Sequence, residues 1–187
     1  MNVTLTIVIS FVIGMTVSVV HKNLQALRHH NGDSELSNHT VSDYFSYCRK
    51  IAEVIASHTN VVLGGEGKTV QIDETFLTKR KYNRGRITEQ MTTTVLGLYC
   101  KEDKTGNTIN DLENQNKLFK KSIACRKIPK LLHQYMALFW YRRNVLKKFD
   151  DDGSQNMQFL LDIKRVYPGY VNGNLQEGLM LKEIDSP

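Results

Sequence analysis

Asp73 and Glu74 are the residues best placed to do chemistry. They close a stretch, Lys68 to Glu74, in which Val70 and Ile72 fall on one side and Asp73 on the other, the alternation of a strand. A carboxylate at the middle of a strand is a hard oxygen ligand on a rigid support, which is how Mg²⁺ is held for phosphoryl transfer. The same Asp73 could equally face water on the open side of a sheet. Just upstream, Gly67-Lys68-Thr69 mimics the end of a phosphate-binding loop. That loop needs a glycine five positions before Gly67, where Val62 stands, and it must open a helix rather than a strand. An NTPase is excluded.

The second chemical signal is charge. The chain carries a net +6 over 187 residues. Between Asn114 and Phe149 there are ten Lys and Arg and no Asp or Glu, so this segment is +10 and the remainder −4. Lys117, Lys120 and Lys121 belong to it. A further basic knot, Lys79-Arg80-Lys81 with Arg84 and Arg86, lies in a Gly-containing loop. Clustered Lys and Arg bind nucleic-acid phosphates by releasing condensed counterions, although a solvated helix face has the same composition.

Other reactive types give little. The six histidines (His21, His29, His30, His39, His58 and His133) show no H-E-x-x-H or comparable spacing, and the neighbours His29 and His30 point apart on a helix. They read as surface residues. Cys48, Cys100 and Cys125 are odd in number and widely spaced, which argues against a disulfide framework or a zinc ribbon. Asn38-His39-Thr40 fits a glycosylation sequon, relevant only in a secreted chain.

The elements that must position these residues follow from hydrophobic patterning. With 41% hydrophobic residues, three prolines and twelve glycines, the chain is neither collagen-like nor wholly disordered. Its length suits one domain. Val3 to Val20 carry no charge for 18 residues, borderline for a bilayer span, and their odd positions are all apolar, as a strand would also require. A single-span membrane anchor is therefore one alternative, and a buried helix or strand another. A polar link follows, His21 to Asn38. Ser37 or Asn38 caps a helix starting near Val41, with Val41, Tyr44, Phe45, Cys48, Ile51, Ala52 and Ile55 on one stripe. After Gly64, Gly65 and Gly67 come a strand near 68–76, the basic loop and a strand near 91–100, a hairpin by their adjacency. Helices are expected over Asn110–Ala124 and Pro129–Lys148, the second ended by Asp150-Asp151-Asp152-Gly153, then a short helix from Gln155 to Val166. Tyr135, Phe139 and Trp140 read as helix core rather than base-stacking groups. Residues 168–187 read as a flexible tail.

Several of these segments together resemble one family. Gly64-Gly65-Glu66-Gly67-Lys68-Thr69-Val70-Gln71-Ile72-Asp73-Glu74-Thr75 followed by Lys79-Arg80-Lys81-Tyr82-Asn83-Arg84-Gly85-Arg86 is similar to the opening of the catalytic domain of Merlin-type DDE transposases and their ISXO-type insertion-sequence relatives. Thr40-Val41-Ser42-Asp43-Tyr44 through Arg49 resembles the family's T-v-x-D-W…R helix. Asn107-Thr108-Ile109-Asn110 resembles its TNxIE motif, and Gln134 through Asn144 its closing YLxEFxWRRN helix.

The resemblance covers residues 40–167 and divides the chain into an apolar N-terminal segment with its link (1–39), a truncated transposase domain and the tail. It implies an α+β, incomplete RNase H-like fold: one hairpin with mostly helical flanks. It also implies DNA as partner, Mg²⁺ as cofactor and strand transfer as the family's reaction. Asp73 is the first acid and metal ligand by the match, and Asn110 stands where the third acid belongs. Lys79, Arg80, Lys81, Arg84, Arg86, Lys117, Lys120 and Lys121 become phosphate contacts.

The second acid has no counterpart, because only Lys101 to Asn107 separate the Tyr99 strand from the third motif. Glu102, Asp103, Asp111 and Glu113 are the acids near the gap, none at a matching position. Two-metal chemistry needs bridging carboxylates, so the expectation is a DNA-binding remnant that does not cut. A hairpin without neighbours also leaves edges and apolar faces that favour pairing with another chain, a second copy included.

Overall fold

The computed structural model describes residues 2–60, 62–77, 93–100, 109–123, 131–171 and 174–175, with the backbone alone at 109–111, 170–171 and 174–175. The basic knot at Lys79, Arg80, Lys81, Arg84 and Arg86, the link 101–108, Pro129 and the tail beyond 175 lie outside these residues. Among the described residues six α-helices and two long strands run in the order α1 (Val3–Val12), α2 (Val17–His30), α3 (Asn38–Ser57), β1 (Val70–Phe76), β2 (Thr94–Cys100), α4 (Ile109–Ser122), α5 (Leu132–Asn144) and α6 (Asp152–Val166). Tyr170–Val171 (β3) and Asn174–Leu175 (β4) form a minimal antiparallel pair. The class is α+β, mainly helical with one antiparallel hairpin. The chain divides into two compact units, Met1–Thr59 with Ala137–Pro187, and Asn60–Met136.

In the first unit the uncharged N-terminal run is two helices. Asn2 caps α1 by accepting the Leu5 N–H, and Ile7, Val8, Phe11 and Val12 bury one helical face. Leu5 and Ile13, which an alternating strand would bury, are exposed. The run breaks at Gly14, whose φ of +87° suits glycine alone. There the Gly14 N–H donates to the Phe11 carbonyl and the Met15 N–H to that of Ser10, a Schellman closure. Thr16 then caps α2 by accepting the Val19 N–H. Among the described residues no helix is long and apolar enough to cross a membrane.

The expected polar link from His21 to Asn38 is helix down to His30. Val20 and Leu24 supply its small buried stripe, and Gln25 clamps Leu36 by donating to its carbonyl and accepting its N–H. Helix α3 starts at the expected cap: Ser37 Oγ accepts the His39 N–H. Its buried Val41, Phe45, Cys48, Ile51, Ala52 and Ile55 are the stripe read from sequence, joined by Val54.

Phe11 lies at the centre of this core. Its ring meets Phe45 edge-on at 5.3 Å and Phe159 at 5.6 Å, while the Arg142 guanidinium stacks 5.4 Å from its centroid and donates to its carbonyl. Trp140 packs half-buried against the same cluster. Asp150-Asp151-Asp152-Gly153 does not merely stop a helix. Asp151 accepts the Ser154 N–H and opens α6, so the acidic run caps the next helix. That hydrogen bond holds the Asp151 carboxyl below its ordinary pKa of 3.8.

Tyr141, fully buried, donates its hydroxyl to Asp162 Oδ2 at 2.6 Å, and Gln158 donates to the same oxygen at 3.1 Å. Burial first, then the adjacent carboxylate, pushes the phenol pKa upward. Tyr141→Phe leaves the buried Asp162 short of a donor and should cost about 1–3 kcal/mol in a urea unfolding experiment. Burial likewise raises the Cys48 thiol from 9.0 to about 12, partly opposed by Arg49. The folded value lies above the unfolded one, so the neutral thiol stabilises fully below about pH 9 and this is lost as pH climbs through the folded value. Cys48 should resist thiol reagents at neutral pH until the chain unfolds, as mass spectrometry of labelled protein will show.

Candidate functional site

In the second unit β1 and β2 pair antiparallel, with Asp73 opposite Gly97, Gln71 opposite Tyr99 and Thr75 opposite Val95. These six positions form one face of the hairpin. Val70, Ile72, Glu74 and Phe76 with Thr94, Leu96, Leu98 and Cys100 form the other. Helix α4 packs on both strands from the Asp73 side. The covered face is therefore the polar one, while Ile72, Phe76, Leu96 and Leu98 on the apolar face remain exposed. One reading of the sequence had Asp73 facing water; the side chain is exposed, although it lies on the side where α4 packs.

The close approach of α4 depends on a missing side chain. A Cβ at Gly97 would stand 3.1 Å from Asn116 Oδ1 and 3.3 Å from Leu112 Cδ1. With that space free, Asn116 Nδ2 donates to Asp73 Oδ2 at 2.8 Å. Leu112, Phe119 and Ile123 bury the apolar stripe of this helix and its end, and Thr75 and Leu77 are buried on the strand side. Two adjoining clefts open beside the hydrogen bond. One, of about 310 Å³, is lined by Gln71, Ile72, Asp73, Leu112 and Glu113; the other, of about 260 Å³, by Asp73, Glu74, Thr75, Glu113, Asn116, Lys117 and Lys120. Lys117 Nζ lies 4.0 Å from Glu113 one turn earlier.

The expected site residues are thus partly assembled. Asp73 is centred on the hairpin, Lys117 and Lys120 share its cleft, and Lys121 is exposed one residue further along α4. Asn110 stands in the first turn of α4, where only the backbone is described. Glu113, one of four acids near the gap in sequence, is the one among the described side chains that reaches the clefts. Asn116 and Gly97 belong to none of the sequence motifs. Asn116 was nonetheless legible as a polar residue interrupting the stripe Leu112, Phe119, Ile123 at i+4 and i+7 spacing.

Among the described residues no three His, Cys, Asp or Glu side chains gather as a metal would require. A cation at Asp73 would displace the Asn116 amide hydrogen and face two lysines across the cleft. This donor set does not fit a pair of Mg²⁺ ions, which bridging carboxylates hold roughly 3.5–4 Å apart. Comparison with models of known protein families, with curated proteins and with solved structures finds no match.

Gly97→Val tests the close approach directly. The Asn116 side chain cannot swing from a new Cβ without releasing Asp73, so the substitution should destabilise this unit by about 1–3 kcal/mol. Urea unfolding followed by amide signals of α4 reads it.

Proposed function

We propose that this chain is a DNA-binding relative of the Merlin-type and ISXO-type DDE transposases that contacts the phosphate backbone without cutting it. The observation that carries the proposal is the meeting of Asp73, the motif's first acid, with the basic helix α4 over one cleft. The ordered run of motifs from Thr40 to Asn144 supports the same reading. In it, Lys117, Lys120 and Lys121 bind phosphate oxygens, and Lys79, Arg80, Lys81, Arg84 and Arg86, which lie between the two strands in sequence, are further phosphate contacts. Lys is a flexible point charge, so these contacts track the backbone without reading bases. Cleavage needs more carboxylate than Asp73, Asn110 and Glu113 bring. An RNase H-like core and pairing with a second copy belong to the same proposal as family expectations; the family's Mg²⁺ does not.

Two measurements check it. The logarithm of DNA affinity should fall steeply and linearly with the logarithm of salt concentration, and alanine at Lys117, Lys120 and Lys121 should lower that slope by about 1 per residue. Purified protein should leave terminal-repeat duplexes intact in Mg²⁺ or Mn²⁺. A flat salt response, or cleavage that Asp73→Ala abolishes, would overturn the reading.

A further inference from the structure

We infer that Asp73 is the docking anchor of helix α4, a positioning residue that holds Lys117 and Lys120 over the hairpin, rather than a ligand of a cation. The atom 2.8 Å from Asp73 Oδ2 is a nitrogen donor. An ionised carboxylate can only accept, so an amide beside it must present its N–H₂ and turn its own oxygen away. The Asn116 oxygen accordingly lies beside Gly97, 3.1 Å from where a Cβ would stand. Asp73 and Gly97 are cross-strand partners, so one site on the hairpin supplies both the acceptor and the opening.

The face that α4 covers explains the need for such an anchor. Gln71, Asp73, Thr75 and Gly97 leave Val95 and Tyr99 as the apolar groups of this face, while Val70, Ile72, Phe76, Leu96 and Leu98 lie on the other side. A charge-assisted hydrogen bond at the centre supplies direction and register that burial cannot. Lys117 follows Asn116 directly and Lys120 lies one turn on, so the anchor sets where both ammonium groups stand.

Substitutions that separate an anchor from a metal ligand test the inference, read by native-state hydrogen exchange of the α4 amides in the full chain. Asp73→Ala and Asn116→Ala should each speed exchange about five- to tenfold, and the double substitution no more than either alone. Asp73→Asn keeps an oxygen acceptor and should stay within about twofold of wild type. A metal ligand behaves otherwise: Asp73→Asn would be as damaging as Asp73→Ala, and millimolar Mg²⁺ would slow exchange in the wild type. Either result overturns the anchor. So does exchange that none of the substitutions changes.

The effect on DNA rests on the proposed function and is read separately. Asn116→Ala should weaken duplex binding about threefold, on the scale of one modest hydrogen bond. Wild-type protein that binds no DNA would sink the proposed function and leave the exchange pattern to decide the anchor. Unchanged DNA affinity with faster exchange would show that the anchor does not position the lysines.

Discussion

A two-stranded sheet cannot bury itself, and the second unit is built around that constraint. Seven residues a side give the hairpin a ladder of backbone hydrogen bonds but leave both faces dependent on something else for cover. Helix α4 covers one face, and it is the face with the fewer apolar groups. Leu112, Phe119 and Ile123 supply the helix's apolar contribution, while Asp73, Asn116 and Gly97 determine where along the hairpin it rests. The uncovered face keeps Ile72 63% exposed beside Leu96, Leu98 and Phe76. A contiguous apolar strand face of this kind invites association, which is a physical property of the hairpin whatever its biological partner.

The first unit solves the opposite problem. It has apolar residues in abundance and buries few polar groups, two of which illustrate how a partner of matched chemistry is found. Arg142 spreads its guanidinium over Phe11 and reaches that residue's carbonyl at 2.8 Å, so a buried cation is met by a ring face and a helix carbonyl together. Asp162 is met by a phenol and an amide, both donors. An uncharged run of 18 residues at an N-terminus resembles a membrane segment on composition alone. Placed beside α3 and α6, its first half is an ordinary core helix.

How much of this the sequence disclosed depended on the kind of signal. Helix α3 was legible at its start and along its buried face, because a cap at Ser37 or Asn38 and an i, i+3, i+4 stripe agree with each other. The first strand was legible from alternation and the second from its β-branched residues. The N-terminal helices were not, since an uncharged run with apolar odd positions reads as a strand, a buried helix or a span, and the deciding residue is Gly14, whose role appears only in its positive φ. The cap that Asp151 gives α6 was missed because acidic residues that follow one helix can also open the next. At the site, Asp73 stood out as a charge inside a strand, whereas Asn116 hid in plain view. A motif search looks for acids, and the informative residue was an amide sitting where a leucine would have been unremarkable.

Chain connectivity links the short gap to the anchor. Eight residues, 101–108, join β2 to α4. Fully extended they reach no more than roughly 29 Å, too little for a strand, a crossing helix and another strand. With no room for intervening layers, the helix after β2 must fold back onto the hairpin it has just left. The group that meets Asp73 is then decided by that helix alone, and Asn116 is the side chain that arrives. A missing carboxylate and an amide-bound Asp73 are, on the proposed reading, one event seen twice.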